Sequence, residues 1–198
     1  FSHDREPASP GYYAVKLDDY GILAELTVTE RVGFHRYTYD QAGESNLILD
    51  MSAGIYNYPG KNTWQFIRVE NDTLITGYRQ TRGWARTRTL YFAMVLSKPI
   101  QRYGFENPEE IIYRGFYRKF NEKENFPEMA GKEITAWFRF SMAAGEALMV
   151  KFALSPVSTE GALNNLRAET PGFDFDKIRV QARETWNREL SRIVVSGS

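Results

Sequence analysis

The stretch YAVKLDDYGILAELTVT, residues 13–29, decides the fold class. Tyr13, Val15 and Leu17 alternate with Ala14, Lys16 and Asp18. After Asp18-Asp19-Tyr20-Gly21, Ile22, Ala24, Leu26 and Val28 alternate with Leu23, Glu25, Thr27 and Thr29. A period of two belongs to a strand with one face buried and the other wet, and Asp and Gly supply turn chemistry between the halves. The stretch therefore predicts a β-hairpin.

The same rhythm runs outward from there. Val32 to Tyr39 continues the meander, and Leu47 to Met51 is a short apolar strand. Trp64, Phe66 and Arg68 alternate with Gln65, Ile67 and Val69 before the polar turn Glu70-Asn71-Asp72, and Leu74 to Tyr78 returns. Leu90 to Ser97 is almost wholly apolar, as a mid-sheet strand covered on both faces would be. Ile111 to Phe120 and Ile134 to Met142 flank a charged loop, and Leu148, Val150, Phe152 and Leu154 close the series. Roughly nine to eleven strands with no helices interleaved predict a mainly β chain folded as an antiparallel β-sandwich. An aromatic content of 15%, from 13 Phe, 12 Tyr and 4 Trp, favours the same pleated surfaces.

At Pro156 the period changes to about 3.6. Ser158 is placed to cap a short helix through Arg167, and Pro171-Gly172 breaks the chain. Asp174 or Asp176 caps a longer helix on which Ile178, Ala182, Trp186, Leu190 and Ile193 form one apolar stripe, opposite a mixed-charge face of Arg179, Arg183, Glu184, Arg188 and Glu189. The chain thus divides into a sandwich over residues 1–156 and a helical region over 157–198. The stripe led by Trp186 needs a surface to lie against, either the sandwich or a neighbour outside this chain.

Composition excludes several functions. Twenty-five Lys and Arg balance twenty-five Asp and Glu, so no long-range field draws in nucleic acid or an anionic membrane. With no cysteine there is no disulfide, thiolate metal site or cysteine nucleophile. No apolar run approaches the roughly 20 residues of a membrane helix.

Candidate chemistry is sparse. His3 and His35 are the only histidines, and neither has a second histidine at ligand spacing. His35 is in phase with Tyr37 and Tyr39, as expected of a histidine on an aromatic strand face. His3 and Glu6 precede Ser9-Pro10-Gly11, where a loop could reach a cleft. No pair of acids stands out as the two carboxylates of a glycosidase: Asp18-Asp19 reads as a turn, Glu109-Glu110 as a loop after Pro108, and Asp174 with Asp176 as a helix start. Asp174-x-Asp176 also lacks the further ligands of a calcium loop. The most pointed stretch is GYRQTRGWARTRTL, residues 77–90, which reads as a loop where Arg79, Arg82, Arg86 and Arg88 crowd around Tyr78 and Trp84. Such interleaving suits stacking on sugar rings and hydrogen bonding to hydroxyls, or a polar loop whose tryptophan covers a sandwich edge. Asn71-Asp72-Thr73 fits an N-glycosylation acceptor or a simple turn.

Three segments carry a family resemblance. FSHDREPASPGYYAVKLDDYGILAELTVTERVGFHRYTY, residues 1–39, resembles the second half of the N-terminal domain of family 92 glycoside hydrolases, bacterial exo-acting α-mannosidases. ITGYRQTRGWARTRTLYFAMVLSKPI, residues 75–100, is similar to that family's Gly-Tyr-Arg, Gly-Trp-Ala and Ser-Lys-Pro segment. ALMVKFALSPVSTEGALNNLRAETPGFDFDKIRVQARETWNREL, residues 147–190, is similar to the helical passage leading out of the domain.

The resemblance implies an N-terminal β-sandwich joined to a C-terminal (α/α)6 barrel, with a calcium-dependent inverting hydrolysis between them. It places the general acid, the base and the calcium ligands in the barrel, so no catalytic or metal-binding residue and no cofactor is expected in this chain. It also implies that Phe1-Ser2-His3 is an internal boundary of a longer enzyme with further strands upstream, that the partners are the barrel and mannose-containing glycans, and that the protein is periplasmic or secreted. The residues expected at the sugar are His3, Glu6, Arg79 and Trp84. Two rival readings stay open: a free-standing carbohydrate-binding module using exposed Trp64, Trp84 or Trp137, and an interaction domain with no sugar contact.

Overall fold

The computed structural model describes residues 1–54, 56, 58–108 and 126–195. Twelve strands appear among the described residues: β1 (Ala8–Ser9), β2 (Tyr12–Leu17), β3 (Ile22–Val28), β4 (Val32–Tyr39), β5 (Gly43–Asp50), β6 (Asn62–Val69), β7 (Leu74–Thr81), β8 (Arg88–Leu96), β9 (Arg102–Glu106), β10 (Glu128–Gly131), β11 (Thr135–Met142) and β12 (Ala147–Ser155). Helices α1 (Thr159–Glu169) and α2 (Phe175–Leu190) follow. The strand read over Ile111 to Phe120 lies outside the described residues.

The opening hairpin forms as its alternation requires, with Leu17 opposite Ile22 and Tyr13 opposite Leu26. Asp18–Tyr20 makes a single 3-10 turn, and Gly21 closes it at φ +61, the left-handed region that favours glycine.

All pairings among the described residues are antiparallel. The larger sheet has the order β1-β2-β3-β4-β12-β8-β7-β6-β10, and the smaller one β5-β11-β9. Between them lies the main core, in which Phe92, Met94, Leu96, Leu148 and Val150 of the large sheet meet Phe105, Ala136, Phe138 and Phe140 of the small one. This is the expected sandwich. The strand predicted to be covered on both faces, β8, sits between β7 and β12; Phe92 and Met94 enter the main core while Ala93 packs beneath α1. The last residue of the closing apolar series departs from its neighbours: Leu154 is 39% exposed. Strands β1, β9 and β10 escaped the sequence reading because two to five residues carry too little alternation to register.

Both helices lie on the outer face of the large sheet. Ser158 caps α1 by accepting from Gly161 N, and Asp174 caps α2 by accepting from Lys177 N. Ala162 and Leu166 of α1 pack on Val32, Ala93 and Ala153, whereas Phe175 and Ile178 of α2 pack on Phe34. The apolar stripe is therefore divided. Ile178 and Ala182 are buried, Trp186 and Leu190 are 46% and 57% exposed, and Ile193 falls beyond the end of the helix.

Candidate functional site

The residues singled out in the sequence come together in two groups. The first hangs on the edge of β2. Ser2 caps a 3-10 turn over His3–Arg5, which brings His3 and Glu6 onto one side. The Glu6 carboxylate is shared: one oxygen lies 2.5 Å from His3 Nδ1, and the other accepts from the Tyr13 hydroxyl. Those two bonds, Tyr13 first and His3 second, hold the Glu6 carboxyl below the usual carboxylate range, and the same bond pushes the Tyr13 phenol up. The His3 side chain is 88% exposed, with Phe1 edge-on to it at 5.6 Å between ring centres. The chain Tyr13–Glu6–His3 thus presents an oriented imidazole to the outside. Sequence reading missed Tyr13, because a partner seven residues away across a Pro-Gly turn has no fixed spacing signal.

His35 shares a face with Tyr13. Their register row runs Tyr13, Leu26, His35 across β2, β3 and β4. Its Nδ1 lies 2.8 Å from the Tyr37 hydroxyl, and burial lowers its proton affinity, so it stays a neutral member of an aromatic strand face.

The second group differs from the crowded loop expected. Tyr78 and Arg79 belong to β7 and Arg88 opens β8, so only Arg82, Trp84 and Arg86 lie in the connecting turn. Because β7 extends to Thr81, Tyr78 and Arg79 face opposite ways. Tyr78 stacks on Phe66 at 5.7 Å, while Arg79 turns inward. Arg79 donates from Nε to Asn62 Oδ1 at 2.9 Å, from Nη1 to Ala53 O at 2.6 Å and from Nη2 to Ser52 O at 3.3 Å, and burial lowers its pKa. Its fork ties the segment after β5 to the sheet. Trp84 is fully exposed at the tip of the turn, which the Tyr58 hydroxyl anchors by donating to Arg82 O at 2.6 Å. Asn71 shapes the β6–β7 turn, its Oδ1 accepting from Thr73 N and Leu74 N at 2.9 Å each.

The two groups do not converge. Five inter-strand steps separate β2 from β7, roughly 24 Å along the sheet. Among the described residues, no three of His, Asp and Glu gather closely enough to hold a metal ion.

Comparison with known proteins places this architecture. Residues 1–155 match the glycosyl hydrolase family 92 N-terminal domain, and residues 161–198 match the glycosyl hydrolase family 92 catalytic domain. The chain belongs to glycoside hydrolase family 92. The family GH92 α-mannosidase BT3965 from Bacteroides thetaiotaomicron is similar over the whole chain, with 35% identity and a TM-score of 0.85, and has also been solved in complex with mannoimidazole. The family GH92 inverting mannosidase BT2199 from Bacteroides thetaiotaomicron VPI-5482 follows at 26% identity and a TM-score of 0.81. An uncharacterized secreted glycosidase of Arthroderma benhamiae is 24% identical over 217 residues, 96% of this chain and 26% of its own length. The chain covers 26% of BT3965 and 24% of BT2199, about a quarter of these relatives' lengths. In this family 92 chain, no helix among the described residues is long and apolar enough to cross a membrane.

Proposed function

We propose that this chain is the non-catalytic N-terminal sandwich portion of an α-mannosidase-like glycoside hydrolase, supporting the catalytic barrel and lining part of a mannose-binding cleft. The observation that carries this reading is the match of residues 1–155 to the family's N-terminal domain, with the catalytic-domain match confined to 161–198. The acid, the base and the calcium ion of the hydrolysis would belong to the barrel; no residue of this chain is assigned to the metal. The parent enzyme would be exported, in line with the relative described as secreted.

Within the cleft, His3 would meet the sugar and Glu6 would hold it in place. With Glu6 accepting at Nδ1, Nε2 is left to exchange a hydrogen bond with a sugar hydroxyl. Trp84 offers an open ring for stacking at a separate point, and Arg79 acts indirectly by fixing the segment after β5. In the full-length enzyme, His3→Ala and Glu6→Gln should lower kcat/KM on a mannobiose by about tenfold, the loss of one or two oriented hydrogen bonds. Unchanged values in both variants would remove His3 and Glu6 from the cleft.

A further inference from the structure

Between the β1–β2 turn and α2 lies a cleft of about 400 Å³, lined by Ser9, Pro10, Tyr12, Arg179, Arg183 and Asn187. Residues 179, 183 and 187 recur every four positions, so they stack along one face of α2 at about one turn each. Of the acids around it, Glu25 beside Tyr12 and Asp176 one turn before Arg179 both pair with Arg36. Neither Arg179 nor Arg183 has an acidic partner among the described residues.

The cleft is also preformed. Gly11 has φ +80, and a Cβ added there would stand 2.9 Å from the Ala182 Cβ and 3.1 Å from Trp186 Cδ1, so the turn sits directly on the helix. Thr27 Oγ1 donates to Gly11 O at 2.8 Å and holds the turn from the other side. On the floor, the Arg179 guanidinium lies 3.6 Å from the centre of the Tyr12 ring. Stacking fixes the plane of the fork and leaves its N–H edge available. The Tyr12 hydroxyl is engaged with Glu25 Oε1 at 2.9 Å and does not compete for it.

Two guanidinium forks, an amide and a serine hydroxyl around a stacked ring form a donor set matched to the oxygens of a carboxylate or a phosphate. We propose that the cleft between the Ser9–Pro10–Gly11 turn and α2 binds an oxyanion through Arg179 and Arg183. A cleft of this volume suits a small anion or the anionic end of a ligand, in a chain whose formal net charge is zero. The proposal does not depend on the sugar-contact reading.

Isothermal titration of the full-length protein at 0.15 M salt with inorganic phosphate, phenyl phosphate and acetate tests it. Saturable binding with a Kd of about 1 mM or tighter is expected for at least one probe, weakened at least tenfold in Arg179→Gln/Arg183→Gln. Phosphate binding ahead of acetate assigns a phosphate ligand, and the reverse order assigns a carboxylate. Both arginines are exposed, so the double variant should keep its fold, checked by circular dichroism and Tm. Absence of saturable binding to all three probes, or equal binding in the folded double variant, would overturn the proposal.

Discussion

The ammonium nitrogen of Lys151 stands 4.3 Å from the centre of the Phe173 ring and donates at 2.8 Å to the Thr170 carbonyl. Lys151 is a buried cation at the centre of β12, on the face that carries the helices. It also reaches Gly172 O at 3.4 Å, so it closes the C-terminal end of α1 and pins the passage into α2. A positive charge at a helix C-terminus meets the negative end of the helix dipole. Lys151→Met keeps most of the volume but leaves a buried carbonyl without its donor. It should lower stability by about 1–3 kcal/mol in urea unfolding. An unchanged midpoint and slope would show that the lysine does not hold the two helices on the sheet.

Glu25 anchors the other end of the helical layer. It accepts from Arg36 Nε at 2.7 Å and Nη2 at 2.9 Å and from the Tyr12 hydroxyl, while Arg36 reaches across to Asp176 of α2. Arg36, the largest influence, and then Tyr12 hold the Glu25 carboxyl below its ordinary 4.5 against the cost of burial. The unfolded chain therefore takes up this proton more readily than the folded one. Its contribution is complete above pH 4.5 and drains away as pH falls through the lower folded value. Glu25→Gln should reduce Tm at neutral pH and flatten the fall in Tm below about pH 4.5. Parallel Tm–pH curves for the two proteins would contradict this.

Gly77 explains one glycine of the Gly-Tyr-Arg segment. It occupies the core face of β7, where an added Cβ would stand 2.8 Å from the Phe92 ring and press on the Phe66 carbonyl. Gly77→Ala should cost about 1–3 kcal/mol through overpacking, read by thermal unfolding. Tyr78→Ala, on the opposite face, should leave the Phe92 packing intact, and methyl NMR shifts of the residues around Phe92 would distinguish the two.

Much of the architecture was legible in the sequence because period-two alternation is a local property. The hairpin over residues 13–29, the two-sided burial of β8 and the caps Ser158 and Asp174 all follow from neighbouring residues. What escaped depends on partners distant in the chain. Nothing beside Lys151 announces that Thr170 and Phe173 will lie over it. Arg79 looked like a loop cation because its acceptors, the Ser52 and Ala53 carbonyls, lie more than twenty residues upstream. Tyr13, read as a strand residue, became the orienting partner of Glu6 only once the turn at Pro10-Gly11 folded back. The family resemblance supplied what spacing could not: a reason for a helical passage whose Trp186 and Leu190 stay exposed on the sheet.

On the proposed function, the chemistry lies outside these 198 residues. Hydrolysis of a mannobiose by this chain and by the full-length enzyme, side by side with added calcium, puts this to the test. Turnover by the longer protein only is expected. Calcium-dependent turnover by this chain, surviving repurification, would contradict it and return the carboxylates of the sandwich to candidacy.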